Sequence, residues 1–257
     1  MIPLNFEPVV HFFNELDSTN SKLKELALMG APEGTLIVAK KQTQGRGRLA
    51  RVWHSPEGGF YASVLLYPLV PKRITDLPFL VGVAVTQTLQ QVLPKSLEVS
   101  LKWPNDVLVN KKKIAGILSE AFGENEFYGA IVGVGININT PSKELEAFQK
   151  NAFQATSVAA LTEGENLPIE EVLNIFKVKL FNLYRLYQEK GFVPIHTLWE
   201  KNCKMMGKKI QVRDVEPRGE TIEGILWGLS DRGGMVVENA KKEKVEIISG
   251  ELACCWY

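Results

Sequence analysis

Three strand-like runs, at residues 99–109, 114–122 and 128–139, follow one another with almost nothing between them. The connectors at 110–112 and 123–126 are too short to hold a crossover helix. Only hairpins can join such runs, so this stretch is constrained to an antiparallel meander. Pro104 interrupts the first run. Proline lacks the ladder donor, which predicts an edge position or a bulge at that point.

The rest of the chain must pack around this sheet. Residues 36–39 and 60–67 read as two further strands. Between residues 20 and 29, Leu23, Leu26 and Ala27 fall on one helical face, and Gly30 supplies a stop. Pro78 stands where a helix can begin, with Val81, Ala84, Val85, Thr88 and Val92 continuing one side of it. Residues 169–188 carry Leu173, Phe176, Leu180, Leu183 and Tyr187 at helical spacing, closed by Gly191. After Gly207 the texture changes to short strands (210–213, 221–229, 235–238 and 245–248) between Gly-rich turns, the pattern of a small β-barrel or sandwich. The expected architecture is α+β, with a larger domain over 1–206 and a β domain over 207–257.

Composition narrows the function classes. Thirty Lys plus Arg against 29 Asp plus Glu, a net charge of +1, excludes a generally basic nucleic-acid coat, though not a local basic patch. No apolar run approaches the ~20 residues that span a bilayer, and residues 1–13 carry no cationic segment before an apolar one, so neither a membrane span nor a signal peptide is expected. Cys203, Cys254 and Cys255 form no spaced, paired framework and read as reduced thiols, which suits the cytoplasm. His11, His54 and His196 are scattered without ligand spacing, so a zinc site is not expected.

Four segments carry more polar chemistry than a fold needs. Asp17-Ser18-Thr19-Asn20 opens the first helix; one such residue suffices as a cap, and the others leave hydroxyl and amide groups for a small polar ligand. Residues 40–51, which include Gln42 and the run Gln44-Gly45-Arg46-Gly47-Arg48, hold five cations and no acid. Glycines there allow close backbone approach, and arginines offer planar forks for phosphate. Alone, the segment is equally a solvated loop or an RNA-binding tail, with only Trp53 nearby for stacking. Lys102-Trp103-Pro104-Asn105-Asp106 and Lys113-Ile114-Ala115-Gly116-Ile117-Leu118 occupy neighbouring strands, and a lysine near an Asn–Asp pair suits a nucleotide with Mg²⁺. Lys111 and Lys112 read as solvated turn residues. Gly133-Val134-Gly135-Ile136-Asn137 lacks the third glycine of a dinucleotide fingerprint; it is a bulged core strand or a ligand-facing one, with Gly135 and Asn137 on one face.

In this order, the segments resemble those of the biotin protein ligases, over about residues 12–139 and more weakly through the C-terminal module. The resemblance implies a catalytic domain related to class II aminoacyl-tRNA synthetases, with a mixed sheet flanked by helices, followed by an SH3-like barrel. It implies a two-step reaction: biotin and ATP give biotinyl-5′-AMP and pyrophosphate, then a lysine of a biotin carboxyl carrier protein, as in acetyl-CoA carboxylase, takes the biotinyl group.

Carried over by residue, Ser18, Thr19, Asn20 and Gln42 would hold biotin's ring end. Arg46, Gly47 and Arg48 lie in the loop that folds over biotin and the adenylate. Lys113 would bind the biotin carboxylate and the α-phosphate, with Arg48 as a second catalytic cation. Gly116 lets the strand approach biotin. Trp53, Asn105, Asp106 and Asn137 fall to the nucleotide, with Asp106 also toward Mg²⁺. No histidine is expected beside these groups as a base for the carrier lysine.

Where related loops continue Arg-Gly-Arg, this chain has Leu49-Ala50-Arg51, which matters if residue 50 needs a left-handed backbone. Sixteen residues before Asp17 leave no room for a winged helix-turn-helix, so no DNA-binding role is expected. A homodimer through sheet edges stays open. Two other readings remain: a lipoate or octanoyl ligase or transferase of the related fold, and a non-enzymatic RNA-binding module.

Overall fold

The computed structural model describes residues 7–67, 71–123, 129–147, 154–164, 166–215 and 219–253. The first strand, β1 (Val10–Leu16), leads into helix α1 (Thr19–Leu28), and β2 (Leu36–Gln42) and β3 (Phe60–Leu66) follow. A short 3-10 turn (Pro71–Asp76) precedes α2 (Leu77–Val92). The meander is β4 (Val99–Lys102), β5 (Asp106–Val109), β6 (Lys112–Phe122) and β7 (Gly129–Ile136). Short helices α3 (Ser142–Ala147) and α4 (Val158–Leu161) lead to the long α5 (Ile169–Lys190) and to α6 (Val193–Asn202). Five strands close the chain: β8 (Lys209–Val215), β9 (Glu220–Leu229), β10 (Met235–Glu238), β11 (Lys244–Ile247) and β12 (Glu251–Ala253).

The first seven strands form one sheet in the order β1-β2-β3-β7-β6-β5-β4. Only β1 and β2 run parallel, so the sheet is mixed. β3 and β7 lie at its centre and every residue in them is buried. Alternation divides their side chains between two layers. Ala62, Val64, Val132 and Val134 join the main core with α2, α5 and α6, while Leu65 and Ile131 join Leu23 and Ala27 of α1 on the other face.

The meander differs from expectation at Pro104. The run 99–109 is two strands, and Pro104, after a cis peptide bond, stands in the turn between them; β4 before it is an edge strand, and the proline itself lies outside the ladder and not at a bulge. Its missing N–H therefore costs the ladder nothing. β1 and α6 had no clear periodic signal; β1 is an edge strand with most of its residues exposed. The 123–126 connector lies largely outside the described residues, as do Cys254 and Cys255. The last five strands form a separate antiparallel sheet, β11-β10-β9-β8-β12.

Candidate active site

The face of the large sheet that carries α1 is stripped of side chains at one end. A cross-strand row runs through Lys102 of β4, Asp106 of β5, Gly116 of β6 and Gly135 of β7, each paired with the next. Directly paired residues share a face, so two charged side chains stand at one end of a row of glycines. Lys113 joins them through a fault in the ladder. Val107 pairs with Ala115 but Leu108 pairs with Lys113, leaving Ile114 unopposed as a bulge. The extra residue reverses the alternation and turns Lys113 to the side of Gly116. A Cβ on Gly116 would lie 3.6 Å from Lys113 Cε.

Lys113 Nζ lies 2.6 Å from Asp106 Oδ1, at angles poor for a hydrogen bond, and Lys102 Nζ lies 3.6 Å from Asp106 Oδ2. Lys102 is 4% exposed. Asp106 does not by itself make a metal centre: its carboxylate faces two ammonium groups, and among the described residues there is no cluster of three or more His, Cys, Asp or Glu that could hold an ion.

The opposite end is neutral and polar. Ser18 occupies the N-cap position of α1, yet its side chain makes no cap bond. The Thr19 amide and hydroxyl both donate to Gln42 Oε1, at 2.8 and 3.1 Å, and Gln42 Nε2 reaches Ser55 Oγ at 2.9 Å. Asn20 is tied into the wall: its Nδ2 reaches Glu120 and the Leu118 carbonyl, and Ser63 Oγ donates to its Oδ1. Asn105 Nδ2 likewise donates to the Ile117 carbonyl, and Asn137 Nδ2 to that of Thr156.

The basic loop roofs this face of the sheet. Gly45 is its tight point, since a Cβ there would stand 2.3 Å from the Trp53 carbonyl oxygen. The loop is cross-linked by Gly47 N–H to Arg51 O at 2.7 Å and Trp53 N–H to Gly45 O at 2.9 Å. Arg46 pairs with Glu120 at 3.0 Å, and Arg51 pairs with Glu251 of β12. That pair holds the Glu251 carboxyl below its usual range. Burial pulls the Arg48 guanidinium down from its ordinary pKa, and Asp106 pulls it the other way. Leu49 and Ala50 both adopt left-handed backbone, with φ of 55° and 56°. Residue 50 therefore does occupy the conformation for which glycine is suited. The Trp53 indole lies across Gly116 and Gly135, and its buried Nε1 has no hydrogen-bond partner.

All these parts enclose one cavity of about 600 Å³. Every residue given a site role from the sequence lines it: Ser18, Thr19, Asn20, Gln42, Arg46, Gly47, Arg48, Trp53, Asn105, Asp106, Lys113, Gly116 and Asn137. Sequence reasoning missed others. Lys102 opens its motif but was not separated from it; strand alternation with Asp106 was the available signal. His54, which the sequence did not single out, lines the cavity, with Nε2 3.1 Å from Glu144 Oε1. Glu251 gave no local signal at all.

A cavity with hydroxyl and amide groups at one end, and with lysines, arginines and the carboxylates of Asp106 and Glu251 around the rest, defines an enzyme that handles a small polar molecule together with an anion. Comparison with known proteins gives the family. The model of the Biotin/lipoate A/B protein ligase family matches residues 12–137. The bifunctional ligase/repressor BirA of Bacillus subtilis is 37% identical over 230 residues, covering 88% of this chain and 68% of that protein. The biotin–[acetyl-CoA-carboxylase] ligase of Paracoccus denitrificans is 29% identical, covering 89% of this chain and 94% of its own. The biotin protein ligase of Aquifex aeolicus, solved with biotin and ATP, superposes with a TM-score of 0.78 at 32% identity, covering 95% and 97% of the two chains. This chain belongs to the biotin protein ligase family.

Proposed function

We propose that the chain activates biotin with ATP and transfers it to a lysine of a biotin carboxyl carrier protein. A biotin carboxylate oxygen attacks the α-phosphorus and pyrophosphate leaves; the carrier amine then attacks the acyl carbon and AMP leaves. Carboxylate and phosphate repel each other, so the first step needs fixed positive charge where the two meet. The observation that carries the reading is the bulge at Ile114, which sets Lys113 beside Asp106 and Lys102 above a glycine floor.

In this reading Ser18, Thr19 and Gln42 receive the ureido ring, with Asn20 holding the wall. Lys113 and Arg48 face the reacting oxygens, and Arg46 and Gly47 belong to the roof. Trp53, Asn105, Asp106 and Asn137 border the nucleotide. Magnesium enters with the phosphates of ATP as part of the substrate; one carboxylate suits an ion that keeps water and phosphate ligands. We assign residues 1–206 to the catalytic domain, of the class II aminoacyl-tRNA synthetase type, and 207–257 to an SH3-like barrel.

The test is incubation with biotin, MgATP and a carrier domain, followed by intact mass. A biotinyl increment on the carrier is expected. If the carrier is unchanged and no pyrophosphate is released, the proposal is wrong. Binding of biotin with ATP should change little between low and high salt, whereas an RNA-binding role for the basic loop would weaken steeply.

A further inference from the structure

Trp103 sits in the middle of a motif whose neighbours, Lys102 and Asp106, point into the cavity, yet its own polar atom is used elsewhere. The side chain is 2% exposed, and its Nε1 donates to the carbonyl of Gly233, 130 residues away, at 3.1 Å. Gly233 belongs to the turn between β9 and β10 in the second sheet. The same turn is gripped twice more. Arg73 donates to the Asp231 carbonyl at 2.9 Å, and the Phe79 ring packs so closely that a Cβ on Gly233 would lie 2.5 Å from it. At the other end of that sheet β12 pairs with β8, and its Glu251 grips Arg51 of the roof loop. The second sheet thus touches the site's scaffold at this turn and, through Leu229 N–H donating to Glu200 Oε1 at 2.9 Å, at α6, and it touches the roof through Glu251.

We propose that Trp103 is a positioning residue: by fixing the Gly233 turn it sets where β12, and with it Glu251, meets Arg51, and so holds the roof closed over the adenylate. The inference rests on the ligase reading for its second measurement but not for its first. A hydrogen bond of this kind is buried, so removing the donor alone strands the Gly233 carbonyl. The indole ring keeps most of its packing when replaced by phenylalanine.

The experiment compares wild type, Trp103→Phe, Glu251→Gln and the double variant. The first measurement is tryptic cleavage after Arg51 in the ligand-free protein. Each single variant should be cut about tenfold faster than wild type, and the double variant no faster than either. The second is release of preformed biotinyl-AMP, expected to show the same pattern while biotin affinity stays unchanged. Multiplicative effects, near a hundredfold in the double variant, would mean that Trp103 and Glu251 act independently. A lower melting temperature with unchanged cleavage and release would make Trp103 merely structural. Either result overturns the inference. Should Trp103→Phe misfold, Gly233→Ala attacks the same joint from the other side, against Phe79, and must reproduce the accelerated cleavage. Failure of wild type to form any adenylate would count against the ligase reading, while the cleavage measurement still decides the joint.

Discussion

Lys113 and Arg48 carry like charge but hold different positions, and the difference predicts different failures. Lys113 stands on a rigid strand, fixed by the bulge and by Asp106. Lys113→Ala should lower adenylate formation by at least ~10²-fold, the scale of removing one transition-state donor, with the circular dichroism spectrum unchanged. Pyrophosphate release reads it, and a wild-type rate would remove Lys113 from the chemistry. Arg48 belongs to the roof, so its loss should spare synthesis more than retention. Arg48→Gly gives up about 2 kcal/mol of charged hydrogen bonding, or roughly thirtyfold in release of the adenylate. The escaped mixed anhydride reacts with any amine, so albumin in the mixture should become biotinylated. Unlabelled albumin while adenylate accumulates would contradict this role. Between these roof residues and the second sheet lie Leu49 and Ala50 in left-handed backbone. That conformation costs an L-residue about 1 kcal/mol or more, which glycine avoids. Ala50→Gly should therefore favour the closed roof and slow tryptic cleavage at Arg51 by about fivefold; faster cleavage would mean that the added freedom of the open loop outweighs the relief.

At the scale of elements, the glycine pair on β6 and β7 makes room for the Trp53 indole that walls the cavity. A Cβ on Gly135 would stand 2.4 Å from Trp53 Nε1, whereas one on Gly116 would stand 3.1 Å from the same ring. Gly135→Ala should displace the indole and abolish ligand binding by calorimetry, and Gly116→Ala should weaken it less; the reverse order would show that Trp53 does not rest on this floor. The meander and the glycines were legible in the sequence because hairpin connectors and strand periodicity are local. Lys113's direction was not, because alternation places it opposite Gly116, and only the two neighbouring strands reveal that Ile114 is the extra residue. Pro104 was misread for a related reason: a proline inside an apolar run looks like an interrupted strand until the hairpin turn is seen. His54 and Glu251 escaped because their partners, Glu144 and Arg51, are distant in sequence.

The two sheets meet along α2 and α6. Phe79 packs edge-on against Phe192 and Trp199, and Glu200 Oε1 accepts from Leu229 N–H at 2.9 Å. Cys203 is buried just beyond α6, and burial pushes its thiol up to about 11. The thiolate is the reactive form, so at pH 7.5 the Cys203 peptide should resist iodoacetamide in the native protein and label promptly in denaturant. Native labelling at the denatured rate would show that this junction opens freely.

The ion pair from Arg51 to Glu251 spans 200 residues of chain. A ribosome makes the arginine first and must add 200 further residues before its carboxylate partner exists. The polar end of the cavity, from Ser18 to Gln42, is by then long synthesised, as is Lys113. On the inference drawn above, a nascent chain holds the groups at the polar end of the cavity before it has the carboxylate that latches the roof, and the site would become retentive only when β12 pairs with β8.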